Sequence, residues 1–326
     1  LHRKFGSEVR FFVAGDVNTP SEVNAFCSEL SNCVYLAPTD QEKWKCSELI
    51  GWRSIQRRNI ALLEALAWGA EVIVSCDNDN LPIDEDYFRY FNEVLDPEQK
   101  FICHQPFNGL RVSSPTGWFD VGTLLDPIAP HRGFPISVKS EVEFTHALDA
   151  KIGVAAGICL GDPDTSAFYR IANHPTVHRV SEVLQAGIVV DLKTWTVFNS
   201  QATAIIREFA PAWAMWCGVS RYDDILASLV VQRVMRDRGY HVHFGKPFVL
   251  QQRNEHDLTK DLAGELWGMQ NILDVARVLD AVILPNKSVI DDCRILFRGL
   301  ALLGSFPEQT RAAAFAFLDD CEQVLG

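Results

Sequence analysis

The segment Ala70-Glu71-Val72-Ile73-Val74-Ser75-Cys76, running into Asp77-Asn78-Asp79-Asn80, decides how this chain is read. A short apolar run rich in β-branched residues, set between a glycine and an Asp/Asn cluster, predicts a buried strand that ends in a polar turn. Upstream, Ser47 to Trp68 carries a helical pattern in which Ile50, Ile55, Leu62, Leu63 and Leu66 share one stripe. Gly69 stands where the end of that helix calls for positive φ. Further out, Cys33 to Ala37 reads as a strand, and Ser21 as the N-cap of a helix through Val23, Phe26 and Leu30. Val9 to Ala14 reads as a first strand leaving through Gly15-Asp16. Strand and helix in alternation predict an α/β domain with a parallel sheet covered by helices on both faces. Ligands of such sheets bind beyond the carboxyl ends of the strands, where Asp16, Asp77 and Asp79 fall.

The pattern changes further along. Phe101 to Arg170 is rich in Gly, Pro and short apolar runs and reads as strands and loops. A helix is predicted at Tyr222 to Arg238, with short strands at His241 to His243 and Pro247 to Gln251. From Asp257 on the signal is nearly all helical: Leu262 to Val282, Val289 to Leu303 and Gln309 to Leu325. The expected organisation is one α/β domain over residues 1–256 and a mostly helical extension over 257–326, the latter a small domain or a homo-oligomer surface.

Composition narrows the function classes. With 42 acidic against 30 basic residues the net charge is −12, so nucleic acid, whose binding feeds on cationic surface, is not the default partner. The 9 cysteines are scattered, odd in number and without CxxC spacing, which suits reduced thiols better than disulfides or a zinc site. No apolar run approaches the ~18 residues of a membrane span, and Leu1 to Ser7 shows no apolar leader. The expectation is a cytoplasmic protein.

Five groups of residues can carry chemistry. Asp77 and Asp79, at i and i+2 beyond a strand, suit a hard divalent cation such as Mg²⁺ or Mn²⁺ held together with substrate phosphates; local turn chemistry is the competing explanation. Arg53, Arg57, Arg58 and Asn59 form a basic cluster, with Arg53 and Arg57 one turn apart, able to grip phosphate or to lie solvated. Asp223 and Asp224 open a helix, where the dipole favours acids, and either can also serve as a general base. Asp162 and Asp164, after the run Ile152 to Leu160, can face a sugar or simply make a turn. His256 is a candidate for a metal shell or a diphosphate contact, with Asp257 a helix cap beside it.

Taken together these blocks resemble the STELLO-type glycosyltransferase-like proteins and the reversibly glycosylated polypeptides, which are plant UDP-arabinopyranose mutases. The likeness rests on Gly15-Asp16 with Thr19-Pro20, Arg58-Asn59-Ile60-Ala61, Gly69 to Ile73, and Asp77 to Asn80. It continues with Arg132-Gly133-Phe134-Pro135-Ile136-Ser137, Gly157 to Asp164, and Ser220 to Ile225, in the same order. The resemblance implies a GT-A fold, a UDP-sugar donor and a Mn²⁺ or Mg²⁺ ion. It implies Asp77, Asp79 and His256 at the metal, Asp16 at the base, Arg58 and Asn59 in the donor pocket, and Asp223 or Asp224 as base. In the mutases the first arginine of the RGYP or RGFP segment can itself carry sugar, and Arg132 holds that place. The chain departs at Asn78, which interrupts a run of acids, and at Lys139, where the family has arginine. Three activities follow: sugar transfer to a hydroxyl acceptor, ring isomerisation of a UDP-sugar, or nucleotide-sugar binding without turnover.

Overall fold

The computed structural model describes residues 8–83, 86–96, 109–146 and 150–326. The segment Leu1 to Ser7, Cys103 and the first residues of the 101–170 stretch lie outside the described residues. The amino-terminal part runs β1 (Phe11–Ala14), α1 (Ser21–Ser28), β2 (Cys33–Leu36), the single turn α2 (Pro38–Gln41), α3 (Cys46–Ile50), α4 (Arg58–Trp68) and β3 (Val72–Cys76). The middle adds β4 (Asn80–Pro82), α5 (Tyr87–Leu95), β5 (Leu110–Ser113), β6 (Leu125–Asp126), β7 (Glu143–His146) and β8 (Lys151–Gly161). Then come α6 (Ala167–Asn173), β9 (Arg179–Val180), α7 (Glu182–Ala186), β10 (Ile188–Val190) and β11 (Ala202–Ile206). The last elements are α8 (Asp223–Arg236), β12 (Tyr240–Gln251), α9 (Leu258–Ala281), α10 (Val289–Leu300) and α11 (Glu308–Leu325).

The fold is mixed α/β, built on a sheet in the order β3-β11-β8-β12-β10-β5-β7, with β4 pairing the far end of β12. The long central strands β8 and β12 lie parallel and are buried over most of their length, which is why both read as nearly unbroken apolar runs. The two short strands expected over 241–251 are one strand with register shifts. β11 runs antiparallel to both β3 and β8, so β3, β8 and β12 point the same way and end on one side of the sheet.

The single parallel sheet expected from the first three strands does not form. β1 and β2 make their own two-stranded parallel sheet, while β3 joins the main sheet by antiparallel pairing with β11. Strand alternation alone carried no information about β11, a later segment that takes the place beside β3. The second edges of β1 and β3 border a cavity of about 1030 Å³ roofed by α4.

The long helix expected over Ser47 to Trp68 is two helices with a break between them. Gly51 (φ 73°) and Arg53 (φ 57°) take left-handed backbone, and Ile55–Arg57 is a 3₁₀ turn. The cause is Asp16, whose carboxylate accepts hydrogen bonds from Arg53 N (2.9 Å) and Ser54 N (3.0 Å). Arg53 and Arg57 therefore do not share a helix face, and Ile55 is exposed. Arg57 turns inward, donates to Gln41 Oε1 and Ser47 O, and lies 3.9 Å from the centre of the Trp52 ring. α4 buries Leu62, Leu63 and Leu66 against the core, each contributing about 1.5–3 kcal/mol, and stops at Gly69 with φ 95°. Ser21 is the first residue of α1 rather than its N-cap, a place held by Pro20.

The C-terminal helices share one hydrophobic core with the sheet, which joins Leu63 and Val154 to Leu279, Phe297 and Phe317. Asp257 caps α9 as expected, accepting from Thr259 N and Lys260 N. Asp320, fully buried on α11, accepts from Lys45 N (3.0 Å) and Cys46 N (2.9 Å) and so caps the start of α3. Six of the described thiols are buried, Cys33 is half-buried and Cys76 exposed. Among the described residues no helix is long and apolar enough to cross a membrane.

Candidate functional site

Because β3, β8 and β12 end on the same side of the sheet, the residues that follow them meet there. Asp77 and Asp79 leave β3, Asp162 and Asp164 leave β8, and Gln251 and Arg253 close β12. The segment Asn199-Ser200-Gln201 enters from the start of the antiparallel β11, and Asp223 and Asp224 open α8 beside it. A layer of charged and amide side chains results.

Arg58, first residue of α4, pairs with Asp77 Oδ1 at 2.7 Å and donates to Ser200 Oγ at 2.8 Å. About a quarter of the Asp77 side chain stays exposed (25%), and with Arg58, Asn78 and Ser54 it borders the cavity. Asp79 is held more loosely: its Oδ2 lies 3.5 Å from Gln251 Nε2, and its Oδ1 is a buried oxygen without a hydrogen-bond partner. Asn80, which pairs with Gln251 in the β4–β12 ladder, has an unpartnered buried Oδ1, and Gln251 an unpartnered buried Oε1. Unsatisfied buried oxygens are costly unless something fills their lone pairs. Three of them on neighbouring residues are the oxygen donor type that Mg²⁺ or Mn²⁺ accepts, although none of these three residues borders the cavity. His256 does not join them. Its Nδ1 is 2.9 Å from Asp261 Oδ2 on α9, and among the described residues no three His, Cys, Asp or Glu side chains gather as a metal-holding group.

A second cluster centres on Arg132. Its Nε and Nη2 donate to the two oxygens of Asp164 (2.8 and 3.0 Å), Nη2 also reaches Asp224 Oδ1 (3.1 Å), and Nη1 donates to Arg221 O. The loop can lie on the first turn of α8 because residue 133 is glycine: with φ 91°, a Cβ there would stand 2.2 Å from Ile225 Cγ2. Burial opposes the Arg132 charge, but Asp164 and Asp224 outweigh it and hold the guanidinium firmly protonated. Burial likewise raises Asp164, yet Arg132 outweighs it and keeps that carboxyl well below the usual range. Asp224 accepts further from Ser200 N (3.0 Å), Ser200 Oγ (3.1 Å) and Ile225 N (2.8 Å). Arg132, expected as a sugar-carrying group, is thus buried and fully engaged, and Asp224 has no lone pair to spare as a base. Asp162 is bound by Arg170 and lies 3.3 Å from Arg253 Nε. Asp162 and Asp164 therefore serve ion pairs rather than presenting free carboxylates.

Asp223 is different. It is buried and takes a single side-chain hydrogen bond, from Gln56 Nε2 at 2.7 Å. Burial, and then the neighbouring Asp224 charge, push its carboxyl up to about 7. A group poised there can take or give a proton at neutral pH.

Two further expected residues are structural in the main. Asp16 lines the cavity, but its carboxylate is spent on the backbone of Val17, Arg53 and Ser54; burial raises it, and those three N–H groups outweigh the burial and lower it. Asn59 bridges the backbone of Met215, donating to its carbonyl (3.0 Å) and accepting from its N–H (2.8 Å). Sequence reading missed Gln56, Ser200, Asn199 and Gln251. The one local signal was the polar triplet 199–201 between apolar neighbours. Searches against protein-family models and against curated proteins find no match for the chain.

Proposed function

We propose that the chain is a metal-dependent glycosyltransferase of the GT-A type, moving a sugar from a nucleotide-diphosphate donor, UDP-linked, to a hydroxyl acceptor. The observation that carries this reading is the joining of sequence blocks far apart in the chain into one polar layer beside one cavity. Ser200 Oγ links the two halves, accepting from Arg58 and donating to Asp224. The 1030 Å³ cavity is ample for a nucleotide sugar, and Asp16, Arg58, Asn59 and Asp77 border it.

In this reading Asp223 takes the proton of the acceptor hydroxyl. The freed oxygen bonds the anomeric carbon as the bond from that carbon to the diphosphate oxygen breaks. Arg58 keeps Asp77 oriented, and Arg132 neutralises Asp164 and Asp224 so that Asp223 can ionise beside them. A divalent ion, held by Asp79 and Asp77 with the Asn80 and Gln251 oxygens at hand, would supply neutralisation of the charge growing on the departing diphosphate.

The test is incubation with a panel of UDP-sugars and Mn²⁺, followed by analysis for free UDP and isomerised donor. UDP release that needs an acceptor is the expected result. Isomerised donor without release makes the chain a mutase, binding without either makes it a non-catalytic binder, and each overturns the proposal. In calorimetry with Mn²⁺, Asp79→Asn is expected to lose metal-dependent donor affinity; unchanged affinity removes Asp79 from the site.

A further inference from the structure

Gln56 occupies the 3₁₀ turn whose neighbours Ser54, Ile55 and Arg57 border the cavity, and both ends of its amide are committed. Ser54 Oγ donates to Gln56 Oε1 at 2.5 Å, and Gln56 Nε2 donates to Asp223 Oδ2 at 2.7 Å. An amide can normally present either end to a neighbour. Here the Asp223 carboxylate, which only accepts, selects the N–H end, and the Ser54 hydroxyl holds the carbonyl end by donating to it. Ser54 is fixed in turn, because its backbone N–H is held by Asp16 Oδ2 at 3.0 Å. A relay thus runs from Asp16 through Ser54 and Gln56 to Asp223, across 167 residues of sequence at its last step.

We propose that Gln56 is the positioning residue for Asp223, fixing its carboxylate for proton transfer and favouring its charged form by donating to it. The proposal rests on the reading of Asp223 as the proton acceptor. The surroundings explain why such a donor is needed. Asp224 faces Asp223 from the same helix and disfavours its ionisation, while Arg132 and Arg58, from two other segments, favour it. Cys217, from the loop before α8, completes the titratable neighbours. Both arginines are committed to other carboxylates, Arg132 to Asp164 and Asp224, Arg58 to Asp77. Gln56 is the neutral side chain that donates to Asp223 itself, beside the Asp224 backbone N–H. Through Asp16 the relay also ties the base to the cavity mouth, so that loading the cavity and setting the base involve the same turn.

The experiment follows the Asp223 carboxyl resonance by ¹³C NMR across pH in the full chain, assigned by its loss in Asp223→Asn, alongside the pH profile of turnover. Gln56→Glu, which sets a second carboxylate against the first, is expected to raise the Asp223 midpoint by ~1 unit or more. Gln56→Leu should raise it less, and Ser54→Ala, which releases the carbonyl end of the amide, should move it in the same direction as Gln56→Leu. The rising limb of kcat should move with the resonance in each variant. A purely structural role would alter melting temperature and leave the midpoint in place. Midpoints unchanged in all three variants overturn the role of Gln56, whatever the turnover. A resonance that moves in a chain that releases no UDP from any donor sustains the link between Gln56 and Asp223 and overturns the transferase reading alone.

Discussion

Arg58 and Arg132 are both arginines that grip aspartates at the same end of the sheet, and they do different work. Arg132 is buried with all its partners in place: two carboxylates and a carbonyl surround it, and Ser200 completes the second carboxylate. Arg58 makes two hydrogen bonds and keeps 21% of its side chain exposed beside the cavity. A saturated guanidinium has nothing left to offer a ligand and acts as a fastener. One with unspent N–H groups at a cavity wall can still meet a phosphate or a sugar. Sequence reading weighed both arginines as functional. Their degree of saturation separates them, and the same measure separates Asp224, which is saturated, from Asp223, which is not.

That contrast can be broken most sharply at the paired acids. Asp223→Asn is expected to lower transfer by about 10²–10⁴-fold, with donor affinity by calorimetry retained; full turnover would make the two acids equivalent after all. At the fastener, Arg132→Met should destabilise the chain by about 3–5 kcal/mol in denaturant unfolding, since two buried carboxylates lose their counter-charge. Adding Asp164→Leu should recover part of that loss. The pH profile sharpens the same point. A carboxyl raised to about 7 is neutral below that pH and charged above it, so base-dependent turnover should rise as pH passes through about 7. A limb near the ordinary aspartate value would return the role to a solvated carboxylate. The smallest effect belongs to Arg58→Met, about 0–1 kcal/mol of stability for a partly exposed pair; a loss as large as that of Arg132 would erase the distinction.

How much of this was legible in the sequence depends on how local the cause was. β3 and its Asp77-Asn78-Asp79 exit, the Gly69 stop and the helices after Asp257 follow from period and punctuation within a few residues, and they stand where expected. The break at Gly51 to Ser54 was hidden because its cause, the Asp16 carboxylate, lies 37 residues away from Arg53. The separation of β1 and β2 from β3 was hidden for the same reason: β11 competes for the edge of β3 from more than 120 residues downstream. In the candidate site, residue types were readable and commitments were not. Asp16, Asp164 and Asp224 look alike in sequence to Asp77 and Asp223, and only their partners show which carboxylates are already occupied.

The cap that Asp320 places on α3 carries a consequence for biogenesis. The amides of Lys45 and Cys46 find their acceptor on α11, some 274 residues later. During synthesis α3 emerges from the ribosome long before that acceptor exists. An amino-terminal segment that stops short of α11 would therefore hold every residue of the relay from Asp16 to Gln56 and lack the acceptor that caps α3.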